Sequence, residues 1–286
     1  MNKLFFAPRF ILFSIFFILN NALFATTIAF PRTNHFISYN DVGEGKPIVL
    51  IHAFPTDQRL WQAQQEGLKA NFRVITLDLW GFGQSSSVDG HAIPMSEYAD
   101  EIKELLDYLK IDRAIIGGES MGGYIALAFL DKYPNRLLGL VLANTQSVAD
   151  SLETKAAREK TALEVLENGM DKLIDGFMVK ALSSNASLEI KTYLHHILSL
   201  QKSTAAASAL RGMALRNSTS SLLATTALPI LIITGEMDQV IPPQQSMDMH
   251  SLAKNSQLII LPNTGHLSNL EQPTQWNQAV IDFFAS

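Results

Sequence analysis

Ser120 stands in Gly118-Glu119-Ser120-Met121-Gly122, a G-x-S-x-G pattern. The pattern closes the apolar run AIIG and opens the run MGGYIALAFL. A strand that turns sharply into a helix holds its corner residue in a strained backbone, and small neighbours make room for it. Such a turn lifts the Ser120 hydroxyl above the sheet. A hydroxyl is a poor nucleophile until a base takes its proton. His266, in NTGHL, follows the run QLIIL and so leaves the same sheet edge. Imidazoles ordinarily titrate near neutrality, which suits proton transfer. The base in turn needs an acid to fix its tautomer. Asp238, in GEMD after the run PILIIT, occupies the preceding strand end, with Glu236 as its rival in the same turn. Attack on a carbonyl creates an oxyanion, which needs N–H donors already in place. The amide of Met121, next to the serine, is one candidate. The amide of Phe54, in the loop HAFP after PIVLIH, is the other, because Pro55 has no N–H to offer. Together these groups would form an acyl-serine and hydrolyse it, a chemistry that calls for no metal and no cofactor.

The elements that must position these groups are legible in the hydropathy. Short, continuous apolar runs fall at 36–39, 47–52, 72–77, 114–117, 137–143, 229–234 and 257–261. Runs of this kind are expected for strands buried on both faces. Helical spacing appears at 96–109, with Ser96 as a possible cap, and at 121–133, 242–253 and 273–284. Strand–helix alternation predicts an α/β fold, a mainly parallel central sheet flanked by helices. Residues 146–227 break the rhythm. They contain no convincing strand, and their apolar spacing is near 3.6, with Leu152, Ala156, Leu163 and Leu166 on one stripe and Leu188, Tyr193, Ile197 and Leu200 on another. An inserted helical lid over the carboxyl edge of the sheet is expected there, and that edge is where open α/β sheets bind ligands. Residues 26–145 and 228–286 would then form the core. Met170, Phe177, Met178, Tyr193 and Met213 are the lid residues that could line an apolar acyl pocket.

The chain has 286 residues and a formal charge of −5, from 22 basic and 27 acidic residues. No basic surplus is available to neutralise phosphates, which argues against nucleic-acid partners. The absence of cysteine removes disulfides, thiolate nucleophiles and cysteine-held metals. Residues 1–25 carry Lys3 and Arg9, then the apolar stretch FILFSIFFIL, then small residues at Ala22 and Ala25. That is the order of a secretory signal peptide, so an exported, periplasmic or secreted protein is expected, with a membrane role only if the segment stays uncleaved. Losing those two cations with the leader would take the charge from −5 to −7. Of the other histidines, His195 and His196 read as a solvated lid face, His35, His91 and His250 as surface, and His52 as part of its turn. Oligomeric state is not readable from the residues.

From about residue 36 to 284 the sequence resembles the α/β-hydrolase family, through HAFP, TDQRLW, DLWGFGQS, GGESMGG, ALRGMALR, LPILIITGEMDQVIPP and LPNTGHLSNLEQP in that order. Its branch is similar to the small serine esterases and enol-lactonases related to 3-oxoadipate enol-lactonase. The resemblance implies an α/β-hydrolase fold with Ser120 as nucleophile, Asp238 as acid, His266 as base, and the Phe54 and Met121 amides around the oxyanion. It places Asp78, Gly81 and Gly83 in a turn that shapes backbone only. A small-molecule carboxylic ester or lactone is the implied substrate. A hydrolase of carbon–carbon bonds in ring-cleavage products, a cofactor-free perhydrolase or haloperoxidase, and a non-catalytic binder are the competing readings. Serine at 120 argues against dehalogenases and epoxide hydrolases, which need aspartate there. Two positions depart from the family. Ala53 stands where glycine is usual, which would strain any backbone with φ > 0. Glu119 precedes the nucleophile, where it would either bias the site toward neutral or cationic substrates or hold hydrogen bonds of its own behind it.

Overall fold

The β-branched and leucine-rich runs assemble into one eight-stranded sheet in a computed structural model that describes residues 25–30 and 35–285. The leader reading of residues 1–25 therefore lies outside the described residues, Ala25 excepted. The strands are β1 (Thr26–Phe30), β2 (His35–Val42), β3 (Lys46–Ile51), β4 (Phe72–Asp78), β5 (Ala114–Glu119), β6 (Leu137–Ala143), β7 (Ile230–Gly235) and β8 (Ser256–Leu261), in spatial order β1-β2-β4-β3-β5-β6-β7-β8. β1 and β2 pair antiparallel, as do β2 and β4, and every later pair is parallel.

Helices cover both faces. On one side lie α1 (Gln62–Leu68) and, at the end of the chain, α11 (Pro273–Phe284). Trp61 and Trp276 meet there at 5.3 Å over Leu50, Ile115, Val141 and Ile233. On the other side lie α2 (Met95–Tyr108) and α3 (Met121–Lys132), which bury Tyr98, Ile102, Ile125 and Phe129 against the alternate residues of the same strands. Between β6 and β7 come α4 (Leu152–Asn168), α5 (Asp171–Ala181), α6 (Leu188–Ser199), α7 (Ser203–Ala214) and α8 (Ser220–Thr225). α9 (Pro243–Leu252) joins β7 to β8, and a single turn, α10 (Ser268–Glu271), precedes α11. Ser151 and Ser187 accept N–H groups at the starts of α4 and α6, the expected work of N-cap serines.

Several expectations need correction. β1 was not anticipated; TTIAF adjoins the apolar leader and reads as its tail. β8 is an edge strand with Ile260 40% exposed, so its apolar run is not buried on both faces. α2 starts at Met95 behind Pro94, and Ser96 lies inside it rather than capping it. The α4 stripe faces outward, with Leu152 86% exposed, because its buried line is Ala162 and Val165. α4 packs on α7, whose buried residues include Ala205, Ala206, Ala207 and Ala209. In α6 the buried line is Leu194, Ile197 and Leu198, while Leu188 and Leu200 are exposed.

Candidate active site

Ser120 is the corner between β5 and α3, at φ 55° and ψ −112°. Only a crowded, well-braced turn holds a non-glycine residue there. The bracing is visible. The Ser120 N–H donates to Ala143 O at 2.9 Å, and the Ser120 carbonyl accepts from Gly123 N at 2.9 Å and Thr145 Oγ1 at 2.8 Å. The glycines on either side are required by space. A Cβ on Gly118 would lie 2.0 Å from the Gly122 carbonyl carbon, and one on Gly122 would lie 2.1 Å from Ile51 O.

Three strand ends bring the chemistry together. His266, buried in the loop after β8, places Nε2 2.8 Å from Ser120 Oγ and Nδ1 2.8 Å from Asp238 Oδ2. A carboxylate only accepts, so Nδ1 carries the proton, and Nε2 of the neutral ring is left to accept the serine hydroxyl. Asp238 is held after β7 by Val240 N at 2.8 Å and Ile241 N at 2.9 Å on Oδ1, and by Asn144 Nδ2 at 2.8 Å on Oδ2. Burial pushes the Asp238 carboxyl up. The His266 ring beside it, with the Asn144 and Ile241 donors, more than reverses this and holds it below its ordinary value. Glu236 does not reach His266; its Oε2 accepts Asn263 N at 3.0 Å.

Met121 is the first residue of α3, and the leading N–H groups of a helix have no intrahelical acceptor. Phe54 lines the same cavity as Ser120, beyond a loop in which Thr56 N and Oγ1 both donate to Ala53 O. Ala53 is not among the non-glycine residues with positive φ, so alanine sits there without strain. His52 fixes the loop. Leu79 N–H donates to its Nε2 at 3.1 Å, so Nδ1–H donates to Ala53 O at 2.9 Å. Burial keeps this ring neutral, lowering its pKa to about 4. Asp78 accepts Gln58 N and Gln84 N at 2.9 Å each and shapes the turn that contains Gly81 and Gly83. Burial, then the charge of Asp57, raises it to about 6.

Glu119 lies behind the site rather than beside a substrate. It is fully buried, does not line the cavity, and neither carboxyl oxygen has a hydrogen-bond partner of ordinary geometry. Burial, then the charge on Asp238, raises its pKa well above the usual range, with only the Ser268 amide pulling the other way. Burial thus favours the uncharged form of a side chain that lies behind the site and outside the cavity.

The cavity over Ser120 has a volume of about 480 Å³. Of the five lid residues expected in its wall, Phe177 and Met213 are there. Phe177 also meets the His266 ring edge-on at 6.4 Å. Met170, Met178 and Tyr193 are elsewhere. Tyr193 instead ties the lid to the core, with its hydroxyl 2.8 Å from Arg59 O and 3.0 Å from Gln62 Oε1. Two supporting residues escaped the sequence reading. Asn144 holds the acid, and its only signal was a polar residue at the carboxyl end of β6. Glu271 accepts Gly265 N at 2.8 Å and Ser183 N at 3.1 Å, so one carboxylate clamps the His266 loop to the lid. His195, His196, His35, His91 and His250 take no part in the site, and among the described residues no group of three or more His, Asp or Glu could hold a metal ion. No helix among them is long and apolar enough to cross a membrane.

A serine braced at a strand-to-helix corner, with histidine and aspartate from later strand ends, is the arrangement of an α/β hydrolase, and the chain belongs to that family: residues 46–273 match the alpha/beta hydrolase fold. Among its structural relatives is a thermophilic esterase from Thermogutta terrifontis, solved with malate bound. It is 32% identical with a TM-score of 0.86, over 90% of this chain and 97% of that one. The 3-oxoadipate enol-lactonase 1 of Acinetobacter baylyi is 29% identical over 259 residues, 87% of this chain and 92% of its own. The 2-hydroxy-6-oxo-2,4-heptadienoate hydrolase of Pseudomonas putida is 28% identical over 254 residues, 86% and 92% respectively.

Proposed function

We propose that the protein hydrolyses a carboxylic ester or lactone through an acyl-enzyme on Ser120. The observation that carries this reading is the unbroken relay Ser120–His266–Asp238, with both links at 2.8 Å, opening onto a cavity. His266 Nε2 takes the hydroxyl proton as Ser120 Oγ attacks the carbonyl carbon. The charge that develops on the carbonyl oxygen is met by the Met121 and Phe54 amides. The proton passes to the leaving alkoxide, and the acyl-serine forms. His266 then draws a proton from water, which attacks the acyl carbon and releases the acid. Asp238 stays ionised and steadies the imidazolium in both steps. The esterase and enol-lactonase relatives support ester or lactone chemistry. The Pseudomonas putida relative supports carbon–carbon bond hydrolysis as the second reading, since the same three groups serve it.

A fluorophosphonate probe should label the wild-type protein stoichiometrically at Ser120, and methyl butyrate should be hydrolysed. Ser120→Ala should lose both signals. Folded wild-type protein that takes no label and turns over no ester refutes the proposal.

A further inference from the structure

The cavity over Ser120 is apolar on much of its wall, where Phe54, Phe177, Met213, Val240 and Ile241 face it. Its charged lining residues are Asp150 and Arg158. These two belong to a triplet. Arg158 Nε is 2.6 Å from Asp150 Oδ2, and its Nη2 is 3.5 Å from Oδ1. Arg216 Nη2 is 2.6 Å from the same Oδ1, its Nη1 donates to Val148 O, and its guanidinium carbon sits 4.0 Å from the centre of the Tyr124 ring. The Asp150 side chain is 1% exposed, that of Arg216 6% and that of Arg158 18%. One carboxylate therefore faces two guanidiniums, and the group carries a net charge of +1 beside an apolar wall. An unbalanced buried charge is unfavourable unless an opposite charge joins it. Arg158 also has donors to spare. A guanidinium carries five N–H groups. Asp150 takes two of those on Arg158, and the Met213 sulfur, a weak acceptor at 3.5 Å from Nη1, takes a third.

We infer that this triplet selects an anionic substrate: an ester or lactone whose acyl chain carries a carboxylate, bound by Arg158 while Ser120 attacks the carbonyl. The inference rests on the ester or lactone reading above and specifies its substrate class. Asp150 and Arg216 are positioning residues, with Asp150 orienting the Arg158 fork and Arg216 supplying the surplus charge. The carboxylate belongs on the acyl side because that portion stays attached to Ser120 through both half-reactions. A contact there holds the acyl chain in place through both. The alcohol leaves after the first step and carries its contacts away.

The test compares monomethyl succinate, glutarate and adipate with methyl butyrate by pH-stat at constant ionic strength. The quantity read is the ratio of kcat/KM for the best half-ester to kcat/KM for the neutral ester. Wild type should give a ratio of at least about 10, and Arg158→Gln should lower that ratio at least about tenfold, as expected for a lost charge-assisted hydrogen bond. Arg158→Lys should restore part of it, which a merely structural loss would not allow. Lys160→Gln removes an exposed lid cation and should leave the ratio unchanged. A wild-type ratio near 1, a ratio that survives Arg158→Gln in folded protein, or an equal fall in Lys160→Gln overturns the inference. If neither ester is hydrolysed, the ester reading fails, and calorimetry with glutarate decides the anion site separately. Binding that is abolished by Arg158→Gln supports the site, and absence of binding to wild type refutes it.

Discussion

Replacing Asp238 with asparagine probes the relay without changing its shape. The aspartate accepts two backbone amides on Oδ1 and the Asn144 and His266 donors on Oδ2. Asparagine has one accepting oxygen and one NH2 group. Its oxygen is best placed on the Oδ1 side, where it keeps the Val240 and Ile241 amides. The NH2 group then faces two donors, Asn144 Nδ2 and His266 Nδ1. His266 escapes that conflict by moving its proton to Nε2, which makes the ring a donor toward Ser120 and unable to take its proton. The expected loss in kcat is about 10⁴-fold, or about 5 kcal/mol of barrier. Stability should fall by a smaller amount, about 1.5–3 kcal/mol for the charge-assisted bonds given up. The sign of the pH dependence is also fixed. Asp238 is depressed in the fold, so its contribution is present above its unfolded pKa of 3.8 and is lost as pH falls below that value; the variant lacks this acid loss. The assay is methyl butyrate turnover per fluorophosphonate-titrated site, with melting curves run in parallel. Folded Asp238→Asn protein within tenfold of wild-type kcat would refute the relay.

Three further outcomes follow from the same contacts. Glu119→Gln should leave turnover within about threefold, because the side chain lies outside the cavity and burial favours its uncharged form. It should raise the melting temperature more at pH 8 than at pH 4.5, since a raised carboxyl costs stability only once the unfolded chain ionises it; a variant that loses activity or gains nothing at pH 8 contradicts this. His52, lowered from 6.5 to about 4, contributes about 3 kcal/mol that is present above pH 6.5 and lost as pH falls through 4, while Asp78, raised from 3.8 to about 6, contributes about 3 kcal/mol that is present below pH 3.8 and lost as pH rises through 6. The two slopes offset each other in wild type, so denaturant unfolding of His52→Gln between pH 4 and 6 should show stability falling as pH rises, and a profile parallel to wild type would count against it. Gly122→Ala should destabilise the fold by about 3 kcal/mol through collision with the Ile51 carbonyl, visible as a shifted urea midpoint, whereas Gly176→Ala, with nothing near its Cβ, should not.

What was legible in the sequence was the local part of the design. Gly118, Ser120 and Gly122 announce a tight corner because the corner is built within five residues. The alternating elements announce the sheet, whose observed form is that of an α/β hydrolase. Choosing between Asp238 and Glu236 was harder, since both leave β7 in one turn. The choice is made by the backbone of that turn, where Val240 and Ile241 aim their amides at Asp238 while Glu236 swings to Asn263. Asn144 and Glu271 act across 94 and 88 residues of chain, on Asp238 and Ser183 respectively. No spacing rule connects partners that meet only after folding. The lid was the least readable segment. Its helices were visible, but their buried faces depend on which elements they meet after folding, and leucines at helical spacing pointed the wrong way.

The backbone at Ser120 carries a consequence beyond the reaction. At φ 55° and ψ −112° a serine occupies a conformation natural to glycine, at a cost of about 1–3 kcal/mol. The molecule is thus less durable than its sheet would allow, and the weakness lies at the residue proposed to attack the substrate. Glycine at 120 would relax the corner and silence the reaction together. A gain in stability at this position would therefore come at the expense of the hydroxyl on which the proposed chemistry depends.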